Sequence, residues 1–569
     1  MRIALSQLNP TVGGLDHNAG LILGAAKVAA AQNADVLVLP ELAICGYPPR
    51  DLLRVNNFPQ ACLDKCLEIA AEFPPRLTVV LGTPRPVDHG TGVANSVVVL
   101  RGGELIATYD KRLLPTYDVF DEDRYFEPGN EAVVIEVGSS ESGGIKLGLT
   151  ICEDLWRGQD INQHARYRGE ADPVQELVDL GAQIILSPSA SPFVLGKPRK
   201  HREILRHHAT RHRVPVLATN QVGANDDLVF DGHACAIGAN GELLAAAPGF
   251  VDHLLVVDLD NPQPVIDDPL EKTSDGFMAI EALTIGVRDY LHKTGFKAAV
   301  LGLSGGIDSA LTAAIAVRAL GKENVTGVAM PSKFSSDHSV TDAYGLAKNL
   351  GITCLTVPIE PAFETLKGTL DPAFTELGFD ALGEKLPDLT QENLQSRIRG
   401  GIIMALSNRT GALVLTTGNK SELAVGYCTL YGDMNGGLAV LADVPKTLVF
   451  DLSRLCNEKH KELGFDCPPI PVSTITKPPS AELAPDQLDS DSLPDYEILD
   501  AIVQRHVEGH QSAAEIIEET SLDPATVKRI CRLIDLNEYK RRQLATGIKI
   551  TSVAFGPGRR FPIAQRWVR

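Results

Sequence analysis

The six residues Ser304-Gly305-Gly306-Ile307-Asp308-Ser309 sit between an apolar run that reads as a strand (297–303) and an Ala-rich run that reads as a helix (308–320). That placement suits a phosphate-binding turn. Glycines let backbone N–H groups approach an anion, and the positive end of the following helix dipole faces it. The chain has no GxxxxGK[ST] pattern, so this turn is not the familiar loop that serves γ-phosphate cleavage. Three residues of another kind also stand at the ends of predicted elements. Cys152 follows the strand-like run 145–151, Glu41 ends another in Leu39-Pro40-Glu41, and Lys111 closes a hairpin in Tyr109-Asp110-Lys111-Arg112. A lone cysteine at such a place is ordinarily a small buried hydrophobe, so any chemistry there depends on what the fold brings beside it.

Two different patterns of elements must do that positioning. Over the first 260 residues, strand-like runs at 34–40, 77–82, 145–151, 181–187 and 214–219 alternate with helical periodicity at 16–32, 59–72, 172–180 and 199–213. Hairpin turns are expected at Arg101-Gly102-Gly103-Glu104 and Ala239-Asn240-Gly241-Glu242, a spacing that hints at internal duplication. This predicts a mixed α/β unit with stacked sheets. Residues 261–274, rich in Pro and Asp without periodicity, form the expected linker between a unit at 1–260 and a second at 275–569. The second opens on a helix at about 275–294. Strands at 297–303, 325–330, 353–357 and 412–416 then alternate with helices, as in a doubly wound parallel sheet. Residues 466–494, rich in Pro, Ser and Asp, read as a long lid-like loop, and the chain beyond them reads as helical.

Composition excludes several classes. At 569 residues, 44% hydrophobic and 22% charged, the chain suits two large globular domains and not a disordered or fibrous protein. Its N-terminus reads as a strand instead of a signal peptide, and no run of apolar residues is long enough to span a membrane. Ten cysteines without a C-x-x-C pair argue against a zinc ribbon or a disulfide framework and for cytoplasmic thiols. The net charge of −19 disfavours general nucleic-acid binding. Residues 528–569 reverse that balance, with eleven Lys or Arg against two Asp or Glu, which reads either as a solvated tail or as a docking surface for phosphates.

The SGGIDS turn resembles the pyrophosphate loop of the ATP pyrophosphatase superfamily, whose members split ATP between its α and β phosphates. Gln391-Glu392-Asn393-Leu394-Gln395-Ser396-Arg397-Ile398-Arg399, Thr416-Thr417-Gly418-Asn419-Lys420-Ser421-Glu422, Tyr431-Gly432-Asp433 and Val444-Pro445-Lys446 narrow the resemblance to NAD synthetases. It implies an adenine nucleotide α-hydrolase-like sheet with a helical C-terminal extension. Gly302, Leu303, Ser304, Gly305, Gly306, Ile307, Asp308, Ser309, Thr417, Lys446 and Ser480 would then contact ATP. Asp308 and Glu422 would hold Mg²⁺, and Asn393, Glu422 and Lys540 would meet deamido-NAD. The basic segment around Tyr539-Lys540-Arg541-Arg542-Gln543 would face that dinucleotide.

Glu41, Lys111 and Cys152, with Phe120-Asp121-Glu122-Asp123-Arg124-Tyr125-Phe126-Glu127-Pro128-Gly129, resemble the nitrilase superfamily, which implies an α-β-β-α sandwich. The physical case needs all three groups. Cys152 would be the nucleophile, Lys111 the ammonium that favours a thiolate and an oxyanion, and Glu41 the general base. Glu122 would be an orienting carboxylate, with Asp121, Asp123 and Glu127 as substitutes. Tyr117, Ser191 and Lys197 match positions that contact glutamine in fused synthetases of this kind. The combined resemblance implies a glutamine-fed ligase that is a homo-oligomer, with small-molecule partners only. A tRNA-modifying enzyme and a regulatory protein with an inactive amidase are the alternatives.

Overall fold

A period of two in the N-terminal strands decides how they stack. The computed structural model describes residues 1–569 apart from 139–143, 158–166, 168, 263, 264, 266, 383–387, 481, 486, 568 and 569. Parts of the expected linker and lid-like loop, and Arg569 of the basic segment, thus lie outside the described residues. The chain forms two units, Met1–Asp275 and Gly276–Arg569.

The first unit begins with strands β1 (Arg2–Gln7), β2 (Val36–Val38), β3 (Thr78–Pro86), β4 (Val93–Arg101) and β5 (Glu104–Asp110). It continues with β6 (Val134–Val137), β7 (Ile145–Leu149), β8 (Ile184–Ser189), β9 (Val216–Asn220), β10 (Val222–Asn225), β11 (Leu228–Asp231), β12 (Cys235–Ile237), β13 (Leu243–Ala246) and β14 (His253–Asp258). Two six-stranded sheets result, ordered β14-β1-β2-β3-β4-β5 and β13-β12-β9-β8-β7-β6, with β10 and β11 as a separate ribbon. Ile3, Leu5, Val36, Val38 and Val80 of the first sheet share one buried cluster with Leu147, Leu149, Ile184, Leu186 and Leu217 of the second. The intervening Ala4, Leu37, Val79 and Leu81 turn the other way, onto helices Leu15–Ala31 and Phe58–Ala70. Ile185, Val216 and Ala218 likewise face helices Pro173–Asp179 and Lys197–His212. Alternation alone thus produces the α-β-β-α sandwich. In the β4–β5 hairpin, Gly102 and Gly103 have φ of +61° and +86°, as the tight primed turn requires. Within the expected linker, Pro269–Lys272 form a helical turn, and Asp268 beside it pairs with Arg202.

In the second unit β15 (Ala299–Gly302), β16 (Val325–Ala329), β17 (Thr353–Thr356), β18 (Leu413–Thr416), β19 (Leu438–Ala439) and β20 (Thr546–Gly547) make one parallel sheet, ordered β17-β16-β15-β18-β19-β20. The order reverses between β15 and β18. A crevice opens outside the carboxyl ends of such a pair, and ligands of doubly wound sheets bind there. Helices Tyr496–Val503, Ala513–Glu519 and Pro524–Leu536 gather Leu499, Ile502, Ile516, Val527, Ile530 and Ile534 against Leu423, Ala424 and Val425. The expectation of helix throughout the C-terminal part is met only to Arg541. Beyond it Gly547, Gly556, Pro557, Gly558 and Pro562 break helical continuity, and Thr546–Gly547 instead adds the sixth strand.

Candidate functional sites

Cys152 begins a short 3₁₀ turn after β7 and has φ of +44°, an unfavourable backbone state for a residue with a Cβ. Asp154 holds that turn. Its carboxylate accepts from the Ile151 N–H at 2.8 Å, from Tyr109 Oη at 2.7 Å, and from the N–H groups of Arg112 and Leu113 at 3.1 and 3.0 Å. The cysteine turn is thereby tied to the chain just after Lys111. Lys111 donates to Glu41 Oε1 at 2.7 Å and to Glu122 Oε1 at 2.9 Å. Glu41 also accepts from Asn95 Nδ2 at 2.8 Å and from the Ala190 N–H at 2.9 Å, while Tyr47 donates to Glu122 at 2.8 Å. Of the acidic residues 121–123 and 127, it is Glu122 that reaches Lys111; Glu127 accepts from the Thr91 N–H at 2.6 Å.

The charges explain the resting state. Burial and then Glu41 push the Cys152 thiol well above its ordinary range, against the pull of Lys111. Burial would lower the Lys111 ammonium, but Glu122 and Glu41 outweigh it and hold the charge in place. Burial also raises the Glu122 carboxyl, to about 7, with Lys111 and Tyr47 restraining it.

Tyr117 donates to Glu153 at 3.0 Å, as does Tyr167, and the Tyr117 ring stands 5.2 Å from Phe120. Lys197 Nζ donates to the Pro192 carbonyl at 2.9 Å and lies 5.9 Å from the Phe120 and Trp156 ring centres. The Ser191 N–H donates to Asn220 at 2.8 Å, and Ser191 and Lys197 line one cavity with His201, Arg202, Asp231 and His233.

Two predictions arise from how this site is held. A Cβ on Gly82 would lie 2.3 Å from the Leu42 nitrogen and 2.5 Å from the Pro40 carbonyl oxygen, on either side of Glu41. Gly82→Ala is therefore expected to cost about 1–3 kcal/mol of stability, measurable by denaturant unfolding, because the backbone on either side of Glu41 must shift. The second concerns His208, fully buried, whose Nε2 bonds the Leu155 carbonyl of the cysteine turn at 2.7 Å. Burial lowers its pKa to about 4, against the pull of that carbonyl. An unfolded histidine takes its proton near 6.5, so the stability that neutral His208 contributes is lost as pH falls from about 6.5 to 4. His208→Gln is expected to flatten the fall in melting temperature over that window; an unchanged slope would assign the acid sensitivity to other groups.

In the second unit the phosphate turn joins β15 to helix Ile307–Leu320. Gly302 ends the strand, and the Leu303 N–H bonds Val328 at 2.9 Å. Gly305 has φ of +76°, and a Cβ there would meet the Ser339 carbonyl oxygen at 2.2 Å. Ser304 Oγ accepts from the Gly306 N–H at 3.1 Å, and Ser309 Oγ donates to the Gly306 carbonyl at 2.9 Å. Ile307 and Asp308 occupy the first helical turn. Thr417 and Asn419 follow β18, and Asn419 Nδ2 donates to Asp308 Oδ1 at 2.8 Å while Asn419 Oδ1 accepts from the Glu422 N–H at 3.0 Å.

Lys446, 2% exposed, donates to Asp308 at 2.6 Å and to Glu422 at 3.0 Å. Burial would lower its pKa, and Asp308 with Glu422 raise it above the usual lysine range. Burial lifts the Glu422 carboxyl to about 7 against the restraint of Lys446. Asp308, Glu422 and Lys446 thus meet at the mouth of the β15–β18 crevice. Asn393 accepts from Thr429 Oγ1 at 2.8 Å, and Lys540 donates to the carbonyls of Gly426 and Cys428 at 2.7 Å each, so both converge on the stretch that follows Glu422. The Ser480 hydroxyl is used within its own loop, donating to the Gln487 carbonyl and accepting from the Glu482 N–H at 3.1 Å. Glu482 in turn accepts from Ser336 and Ser339 at 2.9 and 2.6 Å, which fastens this loop beside Gly305.

Tyr47, Asn95, Asp154, Glu153 and Asn419 were not among the expected site residues. Glu153 and Asp154 carried a sequence signal, being within two residues of Cys152, and Asn419 lies within the stretch 416–422 quoted above.

The fold and its two sites define a carbon–nitrogen hydrolase joined to an adenylating synthetase. Residues 2–263 match the carbon-nitrogen hydrolase family and residues 279–544 the NAD synthase family. The glutamine-dependent NAD(+) synthetase of Synechocystis sp. is 46% identical, covering 99% of this chain and 98% of its own; that of Thermotoga maritima is 40% identical, covering 100% and 99%. The glutamine-dependent NAD⁺ synthetase of Acinetobacter baumannii, solved with adenosine diphosphate, is 37% identical with a TM-score of 0.75, covering 99% of this chain and 98% of its own. The chain belongs to the family of glutamine-dependent NAD(+) synthetases, and it is a ligase. These likenesses do not favour a tRNA-modifying enzyme or an inactive regulator. Among the described residues no helix is long and apolar enough to cross a membrane.

Proposed function

We propose that residues 1–260 hydrolyse glutamine and that residues 275–569 use the ammonia to amidate deamido-NAD, with 261–274 as the linker. The observation that supports this most directly is the repeated arrangement of one buried lysine between two carboxylates, once beside Cys152 and once beside the phosphate turn. In the first site Glu41 takes the Cys152 proton as sulfur attacks the glutamine amide. Lys111 stabilises the oxyanion, and the proton passes to the departing ammonia. Water, deprotonated by Glu41, then releases glutamate from the thioester. Glu122 orients Lys111, and Tyr117, Ser191 and Lys197 hold the amino-acid end of glutamine.

In the second site the turn 302–309, Thr417, Lys446 and Ser480 bind ATP, and Asn393, Glu422 and Lys540 meet deamido-NAD. The nicotinate carboxylate attacks the α-phosphorus and releases pyrophosphate; ammonia then displaces AMP to give the amide. Asp308 and Glu422 offer two hard oxygens converging on one ammonium, a donor set that suits a small divalent cation completing its shell with phosphate and water. Mg²⁺ held there would neutralise charge on the triphosphate. The partners are small molecules, and the family resemblance supports a cytoplasmic homo-oligomer without nucleic acid. The test is to supply ATP, Mg²⁺, deamido-NAD and glutamine and to measure NAD, AMP and pyrophosphate in equal amounts. Pyrophosphate release that needs tRNA and yields no NAD would refute the proposal.

A further inference from the structure

Helix Lys420–Val425 carries Glu422 and has only six residues, so few internal bonds fix it and outside contacts place it: Lys420 Nζ donates to Glu508 at 2.8 Å, Ser421 Oγ donates to Asp500, and both ends are held as well. Asn419 holds the first end. At the other, the carbonyls of Leu423, Ala424, Val425, Gly426 and Cys428 all accept from side chains of one stretch, 537–541. Arg541 Nη1 donates to Leu423 at 3.1 Å and Ala424 at 2.5 Å; Asn537 donates to Val425 at 2.8 Å; Lys540 donates to Gly426 and Cys428 at 2.7 Å each. Arg541 also donates to the Ile534 carbonyl and, from Nη2 and Nε, to Glu538 at 3.0 and 3.1 Å. All five guanidinium N–H groups are thereby used, in a residue 4% exposed. Glu538 is further braced by Arg559 at 2.7 Å, and the Arg541 guanidinium lies 4.7 Å from the Phe555 ring centre. Gly426 fits this cap, since a Cβ there would stand 2.2 Å from the Asn537 amide carbon.

We infer that Asn537 and Arg541 are positioning residues for the adenylation site: they cap the helix that presents Glu422 and hold that carboxylate opposite Asp308. Part of the basic C-terminal segment therefore serves backbone carbonyls at the negative end of a helix. The inference rests on the proposed role of Asp308 and Glu422, and the experiment separates the two.

Arg541→Lys keeps the charge but offers three donors where five are used. In the full-length chain with ammonium as nitrogen donor, it is expected to lower kcat about 10²-fold, as a misplaced catalytic group does. Asn537→Ala leaves every charge in place and is expected to lower kcat about 10-fold through one unsatisfied carbonyl. Both variants should also lose most of the rise in melting temperature that ATP with Mg²⁺ produces in the wild type. In a Glu422→Gln background, Arg541→Lys should add less than about 3-fold, because both changes act through one carboxylate. Losses that multiply would overturn the inference, as would wild-type kcat and melting shift in Asn537→Ala, the variant that decides if Arg541→Lys does not fold. If Glu422→Gln itself keeps full activity, the site assignment beneath the inference fails instead.

Discussion

The Cys152→Ala variant is expected to lose synthesis of NAD from glutamine while retaining synthesis from added ammonium. The loss with glutamine should be about 10⁴-fold or more, the scale seen when a nucleophile is removed from a site whose other members act only with it. Synthesis from ammonium should stay within about 2-fold of wild type, since sites that share no partners behave additively. The substitution is clean. Alanine fits the space of the buried thiol, Asp154 still holds the turn through backbone N–H groups, and the Glu41–Lys111–Glu122 network does not depend on sulfur for its bonds. Initial rates with each donor, at fixed ATP and deamido-NAD, decide the matter. Equal loss with both donors would argue that the two chemistries do not occupy separate sites.

The Cys152 site shows how far a sequence can be read. Glu41, Lys111 and Cys152 were legible because each stands at the end of an element whose apolar pattern is plain, and strand ends are where a sandwich presents side chains. Asn95 and Tyr47 were not, and Asp154 only through its nearness to Cys152. They reach their partners across 54, 75 and 42 residues of chain, a pairing created by sheet order and register that no local pattern carries. The same limit applied to β19 and β20, two residues each, too short to show a period and placed in the sheet by their neighbours.

The basic segment was misread in part for a related reason. From charge alone, Lys540 and Arg541 look like a surface for phosphates. Arg541 is instead buried and spends its donors on the carbonyls of a helix more than one hundred residues earlier in the chain. Charge reports that a cation exists. Which anion or dipole it serves depends on the fold.

For the second site, Asp308→Ala is expected to abolish synthesis from either donor, by about 10³-fold or more, because on the proposed assignment Asp308 holds the cation that offsets transition-state charge on the phosphates. Asp308 and Glu422 now share the Lys446 ammonium, leaving an excess of one negative charge when all three are ionised. Removing Asp308 cancels that excess and leaves Lys446 paired with Glu422 alone, so nothing draws a divalent cation to the mouth of the β15–β18 crevice. Asp308→Asn separates charge from shape: its amide oxygen can still accept from Asn419 Nδ2, now 2.8 Å from the carboxylate, so the turn and the short helix keep their tie. The asparagine variant should fold as the wild type, lose the ATP- and Mg²⁺-dependent rise in melting temperature, and synthesise NAD no better than the alanine variant. Normal ammonium-driven synthesis by Asp308→Asn would mean that the carboxylate serves the fold of the crevice and not the phosphate chemistry.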